Sequence, residues 1–392
     1  MVQKVAKAAV VVVTRTIKTA FLFSTLLLSL VAQAAILPEE RADILFHSYD
    51  GGGVTIDGPS ILVSKQVGDS FSFSGNYYVD SISSASIDVV TTASPYAEER
   101  TEYSVGMDYL RDKVTISTKY TQSDENDFNA KSLHFGISQE MFGGLTTVAI
   151  GYSRGWDTVG KLGDPAFAID VDRENYRASI SQVLTKNMLM EVGLEVVTDE
   201  GGALNNPYRQ VRYINPANVV RGYDYQDEVY PDTRTSSAVA IRAKYYLPYR
   251  AALHGEYRFF TDTWGVNGNH FEIGYTHPFR KNWIFDFRVR NYSQTKADFY
   301  SDLFQFANAQ NFLARDKELS TFSSFTIGAG VSYEFNKNFL SFVDKGSINF
   351  SINNISFDYD DFRDVRVSAT PGTEPLYSFD ANVIQLYLSL WY

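Results

Sequence analysis

The nine residues Ile384–Tyr392 (IQLYLSLWY) constrain the fold of this chain more than any other stretch. Successive strand side chains point to opposite faces. Ile384, Leu386, Leu388, Leu390 and Tyr392 therefore share one face, and Gln385, Tyr387, Ser389 and Trp391 share the other. The stretch stops on an aromatic. A soluble domain rarely closes on a strand with one fully apolar face and no solvated tail, so this face asks for lipid against it.

The other end agrees. Lys4, Lys7, Arg15 and Lys18 form a basic region ahead of the apolar run Phe21–Val31, and Ala32-Gln33-Ala34 is a small-x-small cleavage site. That pattern predicts a secretory signal peptide over residues 1–34. The alternative is an uncleaved anchor, but the apolar run is short for a spanning helix, which needs ~20 apolar residues. Removing residues 1–34 takes four positive charges and moves the formal charge from −11 to −15. So acidic a chain is a poor nucleic-acid binder. With no cysteine, there is no disulfide framework, thiolate metal site or cysteine nucleophile.

Apolar and polar residues alternate at period two through the rest of the chain. Phe325, Ile327, Ala329, Val331, Tyr333 and Phe335 interleave with Thr326, Gly328, Gly330, Ser332 and Glu334. Tyr103–Tyr109, Met188–Val196, Phe271–Tyr275 and Trp283–Val289 behave the same way. No later run is apolar enough for a membrane helix, yet the chain holds 28 Phe and 26 Tyr. A transmembrane barrel reconciles these facts, because only alternate residues face lipid and aromatic girdles line both interfaces. A secreted β-sandwich is the soluble alternative.

Very short turns are expected near 67–69, 111–112, 141–143, 186–187, 248–249, 280–282 and 336–338, where Asp, Gly, Asn and Lys suit tight hairpins. Longer connections fall at 80–98, 157–172, 199–231, 295–318 and 359–376, with modest ones near 124–127 and 264–268. Barrels of the outer membrane pair short periplasmic turns with longer external loops. Seven short turns predict an all-β, antiparallel transmembrane barrel of about sixteen strands within residues 35–392, if Ala42–Ser48 is the first. Fourteen is the alternative, if Ala42–Ser48 and its neighbour fold inside the barrel instead, and residues 50–98 are a candidate inward-folded or plug-like segment. The longest connection, 199–231, is expected either on the external surface or folded into the lumen as a constriction.

Several stretches carry a family resemblance. They are Asp50–Val63 (DGGGVTIDGPSILV), Ser74–Glu102, Leu204–Tyr213 (LNNPYRQVRY), Glu228–Ala240 (EVYPDTRTSSAVA) and Ala252–Val266. Together they resemble a family of Gram-negative outer-membrane proteins known only as a domain of unknown function, with the N-terminal stretch its most specific part. The ending Ile384–Tyr392 likewise resembles the recognition strand that barrel assembly machinery reads. The resemblance implies an outer-membrane barrel with no assigned activity, cofactor or functional residue. It also hints at a periplasmic partner tied to redox maturation.

Alternation turns an ionic set inward: Asp108, Lys113, Lys119, Arg177, Glu191, Glu195, Arg242, Lys244, Glu272, Asp286, Arg288 and Arg290. Facing lipid near the midplane, an Arg or Lys would cost ~2–4 kcal/mol. These side chains either line a water-filled path or pair with one another. Arg209 and Arg212 in the longest connection are candidates for a charged constriction. Asp358, Asp360, Asp361 and Asp364, and separately Asp124, Glu125 and Asp127, are acidic runs on the external side. Either could hold a divalent cation such as calcium beside lipopolysaccharide, or simply be solvated. The glycines of Asp50–Pro59 match neither phosphate-loop nor EF-hand spacing and suit turn chemistry or a plug element.

The leading expectation is a passive channel for small polar solutes in the outer membrane. The alternative is a plugged structural barrel for a periplasmic redox or assembly partner. A hydrolase is the least favoured reading, since His47, His134, His254, His270 and His277 are scattered and only His270, near Asp262, sits at an external strand end. No cofactor and no nucleic-acid partner are expected. The expected partners are outer-membrane lipid, lipopolysaccharide and the assembly machinery, the last through Ile384, Leu386, Leu388, Leu390 and Tyr392.

Overall fold

A computed structural model describes residues 36–84, 87, 96–161, 164–204, 207–336 and 343–392. The expected signal peptide lies outside the described residues. The strands run β1 (Arg41–Gly51), β2 (Val54–Val67), β3 (Phe71–Ser84), β4 (Tyr96–Arg111), β5 (Val114–Asp124) and β6 (Phe128–Met141). Then come β7 (Thr146–Lys161), β8 (Asp164–Thr185), β9 (Met188–Glu200), β10 (Gln210–Ile214), β11 (Tyr223–Asp227) and β12 (Thr233–Tyr246). The chain finishes with β13 (Ala252–Asp262), β14 (Asn267–Phe279), β15 (Trp283–Gln294), β16 (Phe322–Asn336), β17 (Lys345–Arg363) and β18 (Leu376–Trp391).

Sixteen of these close into one antiparallel barrel, and β10–β11 form a separate hairpin between β9 and β12. The seam is β1 on β18, in register from Arg41↔Trp391 to Gly51↔Ala381. Closure leaves no free sheet edge, the condition for strands in hydrocarbon. No helix among the described residues is long and apolar enough to cross a membrane; the strands do the crossing.

The period-two pattern decides which face is which. Leu194 and Val196, Val239 and Ile241, and Phe287 and Val289 are exposed on the outer wall, and so are Ile384 and Leu386. Their intervening neighbours point inward. Tyr245, Tyr249, Phe279 and Trp283 are exposed near the short-turn end, as an interfacial girdle would be.

The choice between sixteen and fourteen strands turns on residues 41–84, and these are wall. β2 pairs with both β1 and β3. The segment 54–84 is therefore no plug, and most of 85–95 lies outside the described residues. Gly52 and Gly53 (φ 60° and 79°) make the two-residue turn joining β1 to β2, the positive-φ pair that a tight hairpin requires. Two expected loops are also shorter than their sequence suggests. Residues 157–161 and 164–172 pair as an extended β7–β8 hairpin, and β17 continues to Arg363. Their polar side chains hide strand character because both faces are solvated once a hairpin leaves the bilayer. Lys113 sits in the β4–β5 turn, outside the wall.

The wall also carries a deliberate gap. Pro59 has no N–H to give, and the β2–β3 ladder skips Gly58 and Pro59 between Asp57↔Ser81 and Ser60↔Tyr78. A Cβ on Gly58 would stand 1.8 Å from the Val79 carbonyl oxygen. The bare glycine lets an inward bond bridge across it: His47 Nε2 on β1 reaches Asp80 Oδ1 on β3 at 2.9 Å.

An ionic lumen under a loop cap as the candidate functional site

The inner wall from β8 to β15 is a lattice of opposed charges. Glu195 accepts from Arg177 Nε at 2.9 Å, Arg258 Nη2 at 2.8 Å and Asn175 Nδ2 at 3.0 Å. Arg242 joins Glu191 at 2.7 Å to Glu256 at 2.6 Å, and Ser181 Oγ donates to Glu191 at 2.9 Å. Arg290 stands opposite Glu272 in the β14–β15 register. Arg288 Nε donates to Asn353 Oδ1 at 2.8 Å, and Asp286 accepts from Thr276 Oγ1 at 2.5 Å. Asp108, Lys119 and Lys244 face the same space from β4, β5 and β12, with Lys119 opposite His134 and Lys244 opposite His254. Apart from Lys113, these side chains share one interior, and much of that wall is paired. Such pairs hold charge and water in place at little net gain in stability.

A second inner group sits beside the seam. Tyr78 Oη lies 3.0 Å from His47 Nε2, and the two rings stack at 5.1 Å. Arg100 reaches Asp80 and Glu102 at 3.3 Å each. His47, Asp80 and Arg100 are buried. Sequence reasoning passed over Asp80 and Arg100, although both lie inside the dense Ser74–Glu102 stretch. Their signal was a charge at every second position, as at Glu98, Arg100 and Glu102.

Above this interior, the connections interlock. The β10–β11 hairpin bonds to the 295–321 connection through Ile214 N→Phe304 O (2.8 Å) and Phe304 N→Arg212 O (2.9 Å). Val229 and Leu313 exchange backbone bonds of 2.9 and 2.7 Å. Ile87, Tyr230, Trp264, Phe299, Tyr300, Leu319, Tyr359, Phe362 and Tyr377 form one buried cluster. Ile87 lies between β3 and β4, and Trp264 between β13 and β14; these hairpins stand on opposite sides of the ring. The 201–232 connection also leans back to Asp127, whose Oδ2 accepts from Tyr208 Oη at 3.1 Å. The cap therefore spans the mouth.

Arg209 and Arg212 lie within this cap and not on the strand wall below it. Arg212 is fully buried in the cap, where Nη1 and Nη2 grip Glu374 at 2.5 and 3.2 Å, and Nε donates to the Asp302 carbonyl at 2.9 Å. It also pairs with the Asp302 carboxylate. Arg315 grips that carboxylate from the other side at 2.9 Å. Arg209 pairs with Asp316. Between these clamps lies Glu228, accepting from Tyr230 Oη and Arg315 N at 2.6 Å each. Burial pushes its carboxyl up to about 7, against the opposing pull of Arg209.

The acidic run is not brought together. Asp358 and Asp360 point outward, Asp361 accepts from Thr321 N at 2.9 Å, and Asp364 pairs with Arg366 at 2.7 Å. Among the described residues no three carboxylates or histidines gather as a metal site would require. His270 is not at Asp262, which Arg234 holds at 2.8 Å; it faces Glu256 and Glu272 at 3.7 and 4.0 Å.

A closed strand cylinder with an apolar outer face and an ionic inner face under a loop cap defines a β-barrel of the outer-membrane type. Residues 169–343 match the model of a family described as "Protein of unknown function (DUF3570)", so the resemblance to an uncharacterised family holds. The stretches Leu204–Tyr213, Glu228–Ala240 and Ala252–Val266 lie within that span, and the N-terminal stretch lies outside it. The fold is similar to a solved structure described as "Bacterial polysaccharide outer membrane secretin", with TM-score 0.50 and 8% identity over 91% of this chain and 99% of that one. It is also similar to the siderophore receptor PirA from Pseudomonas aeruginosa (TM-score 0.42, 9% identity, 91% of this chain and 63% of that one). A third is outer-membrane OmpT of Vibrio cholerae (TM-score 0.42, 11% identity, 90% and 96%). No curated protein matches.

Proposed function

We propose that this outer-membrane barrel carries small polar solutes through a lumen whose external mouth is shut at rest by the loop cap. The supporting observation is the ionic inner wall lying beneath a cap with its own apolar core. A fixed ionic wall suits hydrated solutes. Asp108, Lys119, Glu191, Glu195, Arg242, Lys244, Asp286, Arg288 and Arg290 would set selectivity in this reading. Arg209 and Arg212 hold the cap closed. The reading has no catalytic step.

Planar-bilayer recording tests it. The intact protein should be silent or open rarely, and a variant with residues 210–227 replaced by a short Gly-Ser linker should conduct steadily with charge selectivity. A folded, linker-replaced barrel that stays silent would transfer the function to the second reading, a plugged barrel that holds a periplasmic partner. That reading draws support from how tightly the cap is bonded. Removal of residues 1–34 as a signal peptide, and recognition of Ile384, Leu386, Leu388, Leu390 and Tyr392 by the assembly machinery, belong to the same proposal; N-terminal sequencing of the membrane-extracted protein checks the first.

A further inference from the structure

A cleft of about 330 Å³ opens on the cap between the β13–β14 turn and the 295–321 connection. Its floor is aromatic. Trp264 and Phe299 meet edge-on at 5.2 Å, and Phe299 meets Phe312 at 6.3 Å. Trp264 and Phe299 are nearly buried, while Phe312 is 42% exposed. The rim is polar and carries Asp298, Gln310 and Asn311. Asp298 and Gln310 are held in place. Asp298 N donates to the Trp264 carbonyl at 2.8 Å, and its carboxylate lies over Gly265, where a Cβ would come within 2.4 Å of it. Gln310 Nε2 donates to the Phe299 carbonyl at 3.0 Å, which leaves its side-chain oxygen for another donor. Among the described residues the Asp298 carboxylate and the Asn311 amide have no side-chain hydrogen-bond partner.

We propose that this cleft binds a neutral pyranose sugar. A hexose has a C–H face that lies flat on an aromatic ring and a rim of hydroxyls that both donate and accept. The cleft offers the complement: a partly exposed phenyl ring, one carboxylate acceptor, and two amides able to donate and accept. Ligand sites commonly combine apolar walls with a few placed polar groups in this way. No lysine or arginine lines the cleft, which disfavours phosphate. The rim amides have no task on a quaternary ammonium ion, the other ligand that aromatic rings with a carboxylate would suit. The inference is independent of whether the barrel conducts.

The test uses the refolded mature barrel in an oxyethylene-headed detergent, since glycoside detergents would compete. Glucose, galactose, mannose and choline are titrated by saturation-transfer NMR and calorimetry. Phe312→Ala and Asp298→Asn serve as variants, both at exposed positions, with heat-modifiable gel migration as the folding check. Saturable hexose binding that falls about tenfold in each variant supports the site; losing one good hydroxyl contact is worth that much or more. No hexose binding, binding that neither variant alters, or binding of choline alone would overturn it. A second arm compares maltose with the core oligosaccharide released from lipopolysaccharide. Tighter binding of the core would assign the site to the membrane's own saccharide, and tighter maltose binding would assign it to a free solute; both support the sugar chemistry.

Discussion

Arg212 and Glu374 are 162 residues apart and meet in a two-pronged ion pair at 2.5 and 3.2 Å. Arg212 belongs to the hairpin between β9 and β12, and Glu374 to the connection between β17 and β18, well around the ring. A single guanidinium thus ties two distant parts of the mouth together. Removing it leaves Glu374 buried without its ion-pair partner and Asp302 with Arg315 alone.

Arg212→Ala should loosen the cap by about 3–5 kcal/mol, the usual cost of stripping one partner from a buried ion pair. Arg212→Lys should recover little, because a point charge cannot span Glu374 and Asp302 together. Limited proteolysis within residues 201–232 would read this, and unchanged protection in Arg212→Ala would refute the clamp.

The cap should tighten as pH falls. Glu228 is raised from 4.5 to about 7 and Asp127 from 3.8 to about 6, both by burial. A carboxyl whose folded value lies above its unfolded one binds its proton more tightly when folded. Through these two groups the cap gains stability as pH falls from about 7 to about 4.5; below that, protonation of Glu374, which Arg212 holds under its ordinary value, works the other way. Glu228 alone would contribute on the order of 3 kcal/mol across that window. Hydrogen exchange of cap amides between pH 4.5 and 8, corrected for intrinsic rates, checks the sign, and Glu228→Gln should flatten the profile.

Gly58→Ala should destabilise the barrel by about 2–3 kcal/mol through overpacking against backbone that cannot yield. It should also break the His47–Asp80 bond that passes over the glycine. Loss of heat-modifiable migration at lower temperature is the expected result, and a variant as stable as the parent would refute the close approach.

Arg242→Ala in the linker-replaced barrel frees Glu191 and Glu256 together. The reversal potential in a salt gradient should move toward cations. No movement would mean that permeating ions do not pass this part of the wall.

Leu386→Arg places a charge on the lipid face of β18 and should cost ~2–4 kcal/mol near the midplane. The amount of barrel recovered from the outer membrane should drop, while Gln385→Arg, on the inner face, should be tolerated. Equal recovery of both would argue against the assigned faces.

Much of the barrel could be read from period-two alternation, because lipid on one side and water on the other impose it residue by residue. The inward set from Asp108 to Arg290 followed from the same rule. The cap could not be read this way. Arg212 carries no local mark that distinguishes a buried clamp from a pore-lining charge, since its partners Asp302 and Glu374 are fixed by contacts between distant connections. A proline is foreign to a central strand, and only the register shows that the wall accepts Pro59 by omitting two ladder positions. Asp80 and Arg100 were hidden differently: their family-like stretch drew attention to its glycines and serines rather than to its alternating charges.

The clamp has a consequence for timing. Glu374 reaches Arg212 only when β17 and β18 stand side by side, and β18 is also the strand that meets β1 to seal the seam. Until the last strand is in place, Arg212 lacks half of its counter-charge, and the hairpin is held by its bonds to the 295–321 connection alone. Only a finished cylinder therefore carries the full Asp302–Arg212–Glu374 latch.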